Sequence, residues 1–132
     1  MINPHENLKQ HIVDELGYTV YLEEWQEEPE SVLLVRTGGG ATEYPANKID
    51  DNVQVFARAP HEYDARIMSQ SIYDLFKGAN GYEITLPALS GVVGATTLFC
   101  NQVRPVQAPY LIAHEGGEWR YVFNLRLTYI DP

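Results

Sequence analysis

The sequence predicts an α+β fold: a mostly antiparallel sheet with two helices packed on one face and a long C-terminal strand. Three observations predict it. Apolar residues recur every three or four positions in two segments, Leu8-Ile12-Leu16 and Ala65-Met68-Ile72-Leu75-Phe76, the spacing of a single helix face. Apolar and polar residues alternate from Val53 to Arg58 and from Trp119 to Ile130, the period of half-buried strands. The resulting order is helix, three strands, helix, then three or four strands, which suits a layer of helices on one side of a sheet. A chain of 132 residues fits one domain, 1–132, and can bury about two-thirds of its unfolded surface.

The first helix is expected from Asn3 to Leu16. Asn3 can cap it, Pro4 suits its first turn, Glu6 stands where a capping-box carboxylate reaches back, and Gly17 ends it. Tyr18 to Leu22 follows as a short strand. Glu23 to Glu30 (EEWQEEPE) is an acidic linker. It suits a solvated turn, or an acidic patch on an assembly surface with Trp25 as its anchor. Ser31 to Thr37 is a second strand, whose continuous apolar run indicates burial on both faces. Gly38, Gly39 and Gly40 are expected to form a flexible turn into a projecting loop from Ala41 to Asp51, which carries Tyr44 and Lys48.

The centre of the chain runs from Val53 to Gly78. Its strand places Val53, Val55 and Ala57 on one face and Gln54, Phe56 and Arg58 on the other. Pro60 supplies a φ suited to a helix's first turn. Glu62 and Asp64 complement the positive end of the helix dipole, and Gly78 is a natural C-terminal stop. Asn80-Gly81 is a hairpin turn, and Tyr82 to Leu86 a short strand. After a loop (PALSGVVG), Ala95 to Val106 reads as a strand with Thr97, Phe99, Asn101 and Val103 on one face, and Pro105 marks its exit. Pro109 to Ala113 continues the extended path as far as a tight turn at Glu115 to Glu118.

Trp119 to Ile130 is the clearest strand. Trp119, Tyr121, Phe123, Leu125, Leu127 and Tyr129 should lie on the helices, while Arg120 and Arg126 face water or a partner. Twelve residues extend about 40 Å, longer than a domain of this size usually needs. The strand can overhang its sheet and pair with a neighbour, or be paired fully within its own domain.

Composition excludes several functions. A formal net charge of −9 argues against binding the nucleic-acid backbone, which requires clustered Lys and Arg. No basic segment followed by an apolar one marks a signal peptide, and no apolar run approaches ~20 residues. The chain therefore reads as cytosolic, or as assembled in the cytosol, with no membrane contact. The single cysteine, Cys100, cannot form an internal disulfide and suits a buried apolar position. Nine tyrosines suit interfaces and half-buried sheets alike.

No catalytic or cofactor signature is present. His5, His11, His61 and His114 lack the HxH or HExxH spacing of zinc ligands. The three glycines are not followed by the Lys-Ser/Thr of a phosphate loop. There is no GxSxG elbow. Adjacent acids such as Asp50-Asp51 read as solvated turns. No enzyme activity, cofactor or metal is expected.

The stretch from Val32 to Gly78 resembles the tail-terminator (minor capsid) proteins of long-tailed bacteriophages. The resemblance rests on the glycine turn Gly38-Gly39-Gly40, on the strand VQVFARAP from Val53 to Pro60, on Glu62-Tyr63-Asp64, and on Ile72-Tyr73-Asp74-Leu75 closing at Gly78. It is a likeness of pattern with no catalytic motif, and the flanks match only in layout. It implies a virion protein assembled in the host cytoplasm, a homo-oligomeric ring, commonly a hexamer, at the head-proximal end of the tail tube. Such a ring stops tube polymerisation and joins the tail to the neck of the capsid. DNA passes its lumen without specific binding, and an acidic lumen would keep the passage non-adhesive. The implied partners are other copies of the chain, the tail tube protein and a head-completion protein. Candidate interface residues are Trp25, Gly38, Gly39, Gly40, Tyr44, Lys48, Arg120 and Arg126. Other head-tail joining or tail-completion proteins share the fold. A small cytosolic enzyme or ligand-binding module is the alternative from another class, and predicts a concave pocket with convergent polar groups.

Overall fold

The computed structural model describes residues 3–43, 48–77 and 83–130. The element order is α1 (Pro4–Leu16), β1 (Val20–Leu22), β2 (Ser31–Glu43), β3 (Lys48–Ala59), α2 (Glu62–Lys77), β4 (Ile84–Leu86), β5 (Leu98–Pro105), β6 (Tyr110–Glu115) and β7 (Glu118–Ile130). The fold is α+β, as the sequence predicts. Among the described residues seven strands form one curled sheet in the order β1-β2-β3-β7-β5-β4, with β6 also paired to β7. All pairings are antiparallel except that of β1 with β2.

Both helices lie against one face of the sheet. Leu8 and Ile12 of α1 and Met68, Ile72 and Phe76 of α2 are buried against Val32, Leu34, Val53, Val55, Phe123, Leu125 and Leu127. The apolar spacing of each helix accounts for this directly, because residues three and four apart share a face. Gly17 ends α1 in the left-handed conformation (φ 72°), and its N–H donates to the Val13 carbonyl at 3.0 Å. Asn3 occupies the N-cap without a side-chain cap bond; its carbonyl accepts from the Glu6 N–H instead. The second helix starts at Glu62, so Pro60 precedes the helix and does not occupy its first turn. Gly78, Asn80-Gly81 and Tyr82 lie outside the described residues, as does Tyr44.

The expected turn at Gly38–Gly40 and the loop beyond it are corrected. β2 runs on through the glycines to Glu43, and Lys48–Asp51 form the start of β3, so a long β2–β3 hairpin replaces the loop. Thr37 pairs with Asn52 and Ala41 with Asp50, which sets Gly38, Gly39 and Gly40 opposite the single residue Asp51. A bulge tolerates such excess most readily where no Cβ must be accommodated.

β7 is the central strand and pairs within the domain along both edges. β3 covers one edge from Trp119 to Ile130, and β6 followed by β5 covers the other. Of the two readings of its length, the structure shows internal pairing; the overhang is not formed. The turn before β7 places Gly116 (φ 60°) and Gly117 (φ 73°) between the paired Glu115 and Glu118, as a two-residue hairpin with both central residues left-handed demands.

The predicted face of the fifth strand is also corrected. Cys100 pairs with Tyr129 and Gln102 with Thr128, so Asn101 is a one-residue bulge. Leu98 and Cys100 point into the core before it and Val103 after it, while Phe99 is exposed. The bulge reverses the alternation, so Phe99 and Val103 do not share a face.

Candidate interaction surface

The sheet face turned away from the helices carries Arg120 and Arg126 of the predicted interface residues and separates them into two groups of neighbours. Along β3 this face shows Asp50, Asn52, Gln54, Phe56 and Arg58; along β7 it shows Arg120, Val122, Asn124, Arg126 and Thr128. Between the groups runs an apolar row, Leu33-Phe56-Val122-Tyr110, formed by direct cross-strand neighbours. Leu33 and Val122 are buried. Part of the face expected to be polar is therefore covered.

The first group lies where the acidic linker folds back over the sheet. The Arg58 guanidinium stacks on Trp25, with Cζ 4.1 Å from the ring centroid, and that of Arg120 lies 5.7 Å from it. Arg58 donates to the carbonyls of Gln26 and Glu28 and to Ser31 Oγ, the last at 3.2 Å. Glu118 pairs with Arg120 and lies 3.8 Å from Arg58. Trp25 and Arg120, two of the candidate interface residues, thus meet inside the subunit. Trp25 is half-buried under two cations. Planar guanidinium stacking on indole with carbonyl acceptors at its edge uses every side of Arg58 and fixes the linker's path.

The second group lies at the other end of the face. Arg126 pairs with Asp50 at 3.3 Å, and Thr128 Oγ1 donates to the same carboxylate at 2.8 Å. The glycine bulge of β2 adjoins the cross-strand row Thr37-Asn52-Arg126, which the pairing of β5 extends to Arg104. Lys48 stands further along β3, opposite Ile130 and Glu43.

Sequence reading missed a buried polar network on the helix side. Asp51, 1% exposed, accepts from Arg36 Nε at 2.9 Å and Nη2 at 2.7 Å, from the Tyr129 hydroxyl at 3.0 Å and from the Asn52 N–H at 2.9 Å. Burial, reinforced by the Asp51 carboxylate, pushes the Tyr129 hydroxyl far above the usual phenol range. Glu23, a left-handed non-glycine residue (φ 69°), accepts from the Arg36 N–H at 3.1 Å and lies 3.0 Å from His5 Nε2. Burial outweighs that carboxylate and holds the His5 imidazole below its ordinary range. The signal available in sequence was Asp51 itself, whose parity with Val53 and Val55 places it on the inward face once β3 is extended back to Lys48.

Among the described residues no three of His, Cys, Asp and Glu gather as a metal site. His11 packs on Phe76 (5.7 Å between ring centroids), His61 is exposed ahead of α2, and His114 stacks on Trp119 at 3.4 Å. His114 belongs to strand β6. Cys100 is fully buried, and desolvation pushes its thiol up to about 12, which leaves no reactive thiolate near neutrality.

Two apolar features complete the surface. Tyr110, Leu111 and Ile112 are exposed on β6. A cavity of about 380 Å³ opens between the start of α1 and the loop before β5, lined by Asn3, Glu6, Leu89, Val92, Phe99 and Ile130, among others. Asn7 ties that loop to α1 through 2.8 Å bonds from Nδ2 to the carbonyls of Pro87 and Thr96. No helix among the described residues is long and apolar enough to cross a membrane.

The chain matches no protein-family model and no protein of curated function.

Proposed function

We propose that this chain is a structural virion protein that caps the head-proximal end of a phage tail tube as a ring, stops its polymerisation and forms the joint to the neck. The observation that carries this reading is the unit from Val53 to Lys77, whose residues resemble those of tail terminators and which folds as strand, short turn and helix. Within it the Arg of the VQVFARAP segment, Arg58, clamps the acidic linker. The unit also supplies the middle of the sheet and the longer helix, so the likeness falls on the scaffold of the domain.

The partners in this reading are other copies of the chain, in the sixfold ring that the resemblance implies, together with the tube protein and a head-completion protein. DNA crosses the lumen without specific contacts, which the −9 net charge favours. Arg126, Lys48 and the Gly38–Gly40 bulge are the assembly residues. Arg120 and Trp25 shape the linker and act through it.

The test is removal of the gene from a phage that encodes it, with tail lengths measured by electron microscopy. Overlong tails detached from heads support termination. Tails of normal length that fail to join heads identify another head-tail joining protein instead. Unchanged virions refute both. The cavity beside α1 favours one reading from another class, a small ligand-binding module, because its volume falls in the range of ligand pockets. Unchanged virions together with a ligand-induced rise in melting temperature would establish that reading.

A further inference from the structure

We propose that Arg104 and Arg126 form a docking site for carboxylates of a second copy of this chain, supplied by Glu24, Glu27 and Glu30 of the neighbour's linker. Arg104 on β5 and Arg126 on β7 are direct cross-strand partners, so their side chains project side by side from the same face. Both are exposed. Like charges directly opposite one another destabilise a sheet unless an anion lies between or above them. Arg126 has Asp50 at 3.3 Å. Arg104 is the one arginine without a carboxylate partner among the described residues, whereas Arg36, Arg58, Arg66 and Arg120 each have one. In a chain with twice as many acids as bases, 18 against 9, two adjacent outward-facing cations mark a place where negative charge is received.

The complementary surface is on the same molecule. Glu24, Glu27 and Glu30 are exposed, and no donor meets their carboxylates among the described residues. Arg58 holds the linker through the Gln26 and Glu28 carbonyls, so these carboxylates are presented from an ordered backbone. A preordered segment loses little entropy on docking. The linker's anchor, Arg58, and the row of Arg126 at Asn52 are six residues apart on β3, about 20 Å at ~3.3 Å per residue. Glu27, between the two carbonyls that Arg58 holds, and Glu30, next to Ser31 opposite Arg58, are kept that far from the arginine pair of their own subunit; a second subunit can bring them to it. The negative net charge disfavours a nucleic-acid phosphate as the occupant. The contact joins unlike patches of neighbouring copies, as ring closure requires, and in that respect it rests on the ring reading.

Sedimentation equilibrium over a wide concentration range, at low and high salt, tests the contact. The wild type is expected to self-associate, less tightly at high salt. Arg104→Glu with Arg126→Glu should weaken association at least about tenfold, as should Glu24→Lys with Glu27→Lys and Glu30→Lys. An equimolar mixture of the two variants should recover it, because reversed patches complement each other. Lys9→Glu with Lys77→Glu, the same charge change placed on the helices, should leave association intact. A monomeric wild type overturns the proposal, and so does a mixture that fails to recover. If the arginine variant associates like the wild type, the pair serves another occupant and this contact is refuted, while the tail-length experiment continues to decide the ring reading independently.

Discussion

Removing the carboxylate of Asp51 should destabilise the domain more than any other single polar change. In Asp51→Ala the Tyr129 hydroxyl, on a side chain only 1% exposed, loses the acceptor at 3.0 Å, and Arg36 loses a two-pronged partner at 2.7 and 2.9 Å. A buried hydroxyl left without a partner costs roughly 1–3 kcal/mol, and a hydrogen bond to a charged group contributes about 1.5–3 kcal/mol. The Arg36 side chain is 19% exposed, so water recovers part of the second contribution. The expected loss is about 3 kcal/mol. At roughly 3–5 °C per kcal/mol for a domain of this size, the melting temperature should fall by about 10–15 °C. Urea unfolding followed by tryptophan fluorescence and far-ultraviolet circular dichroism measures it. Tyr129→Phe should lose only about 1 kcal/mol, and the double variant should lose less than the sum of the two, since they share one contact. A loss below about 1 kcal/mol for Asp51→Ala, or strict additivity, would show that the network does not hold the β3–β7 ladder together.

Three further outcomes are expected. Stability should fall as pH drops below about 6.5: burial lowers the pKa of His5 and His11 in the fold, so the unfolded chain takes up protons first. The loss should continue until the folded pKa values are passed, and His5→Gln with His11→Gln should flatten the slope in pH-dependent urea melts. Arg58→Ala should release the linker at a loss of about 2 kcal/mol, seen as changed Trp25 emission and faster cleavage by a glutamate-specific protease; unchanged cleavage would refute the clamp. Gly117→Ala should lose roughly 1 kcal/mol at a left-handed turn position (φ 73°), whereas Gly116→Asn should be nearly neutral because asparagine tolerates that conformation.

The sequence by itself determined the class of fold, both helices and the inward faces of β3 and β7. These follow from periods of 3.6 and 2, which are local and set by backbone geometry. Leu8, Ile12, Ile72 and Phe76 were legible as core for the same reason, and Cys100 from its apolar character alone. The tertiary structure alone decided what depends on register. Gly38–Gly40 lie opposite one residue, Asp51, and so continue a strand where a turn was expected. The Asn101 bulge turns Arg104 to the face of Arg126. The linker's tryptophan lies under Arg58 and Arg120, some 30 or more residues away in the chain. An excess residue in one strand is defined only against its partner strand, and the partner is chosen by long-range packing. Asp51 shows the same limit in energetic form: its composition suggests a wet turn, and its burial became favourable only when Arg36 and Tyr129 were brought to it.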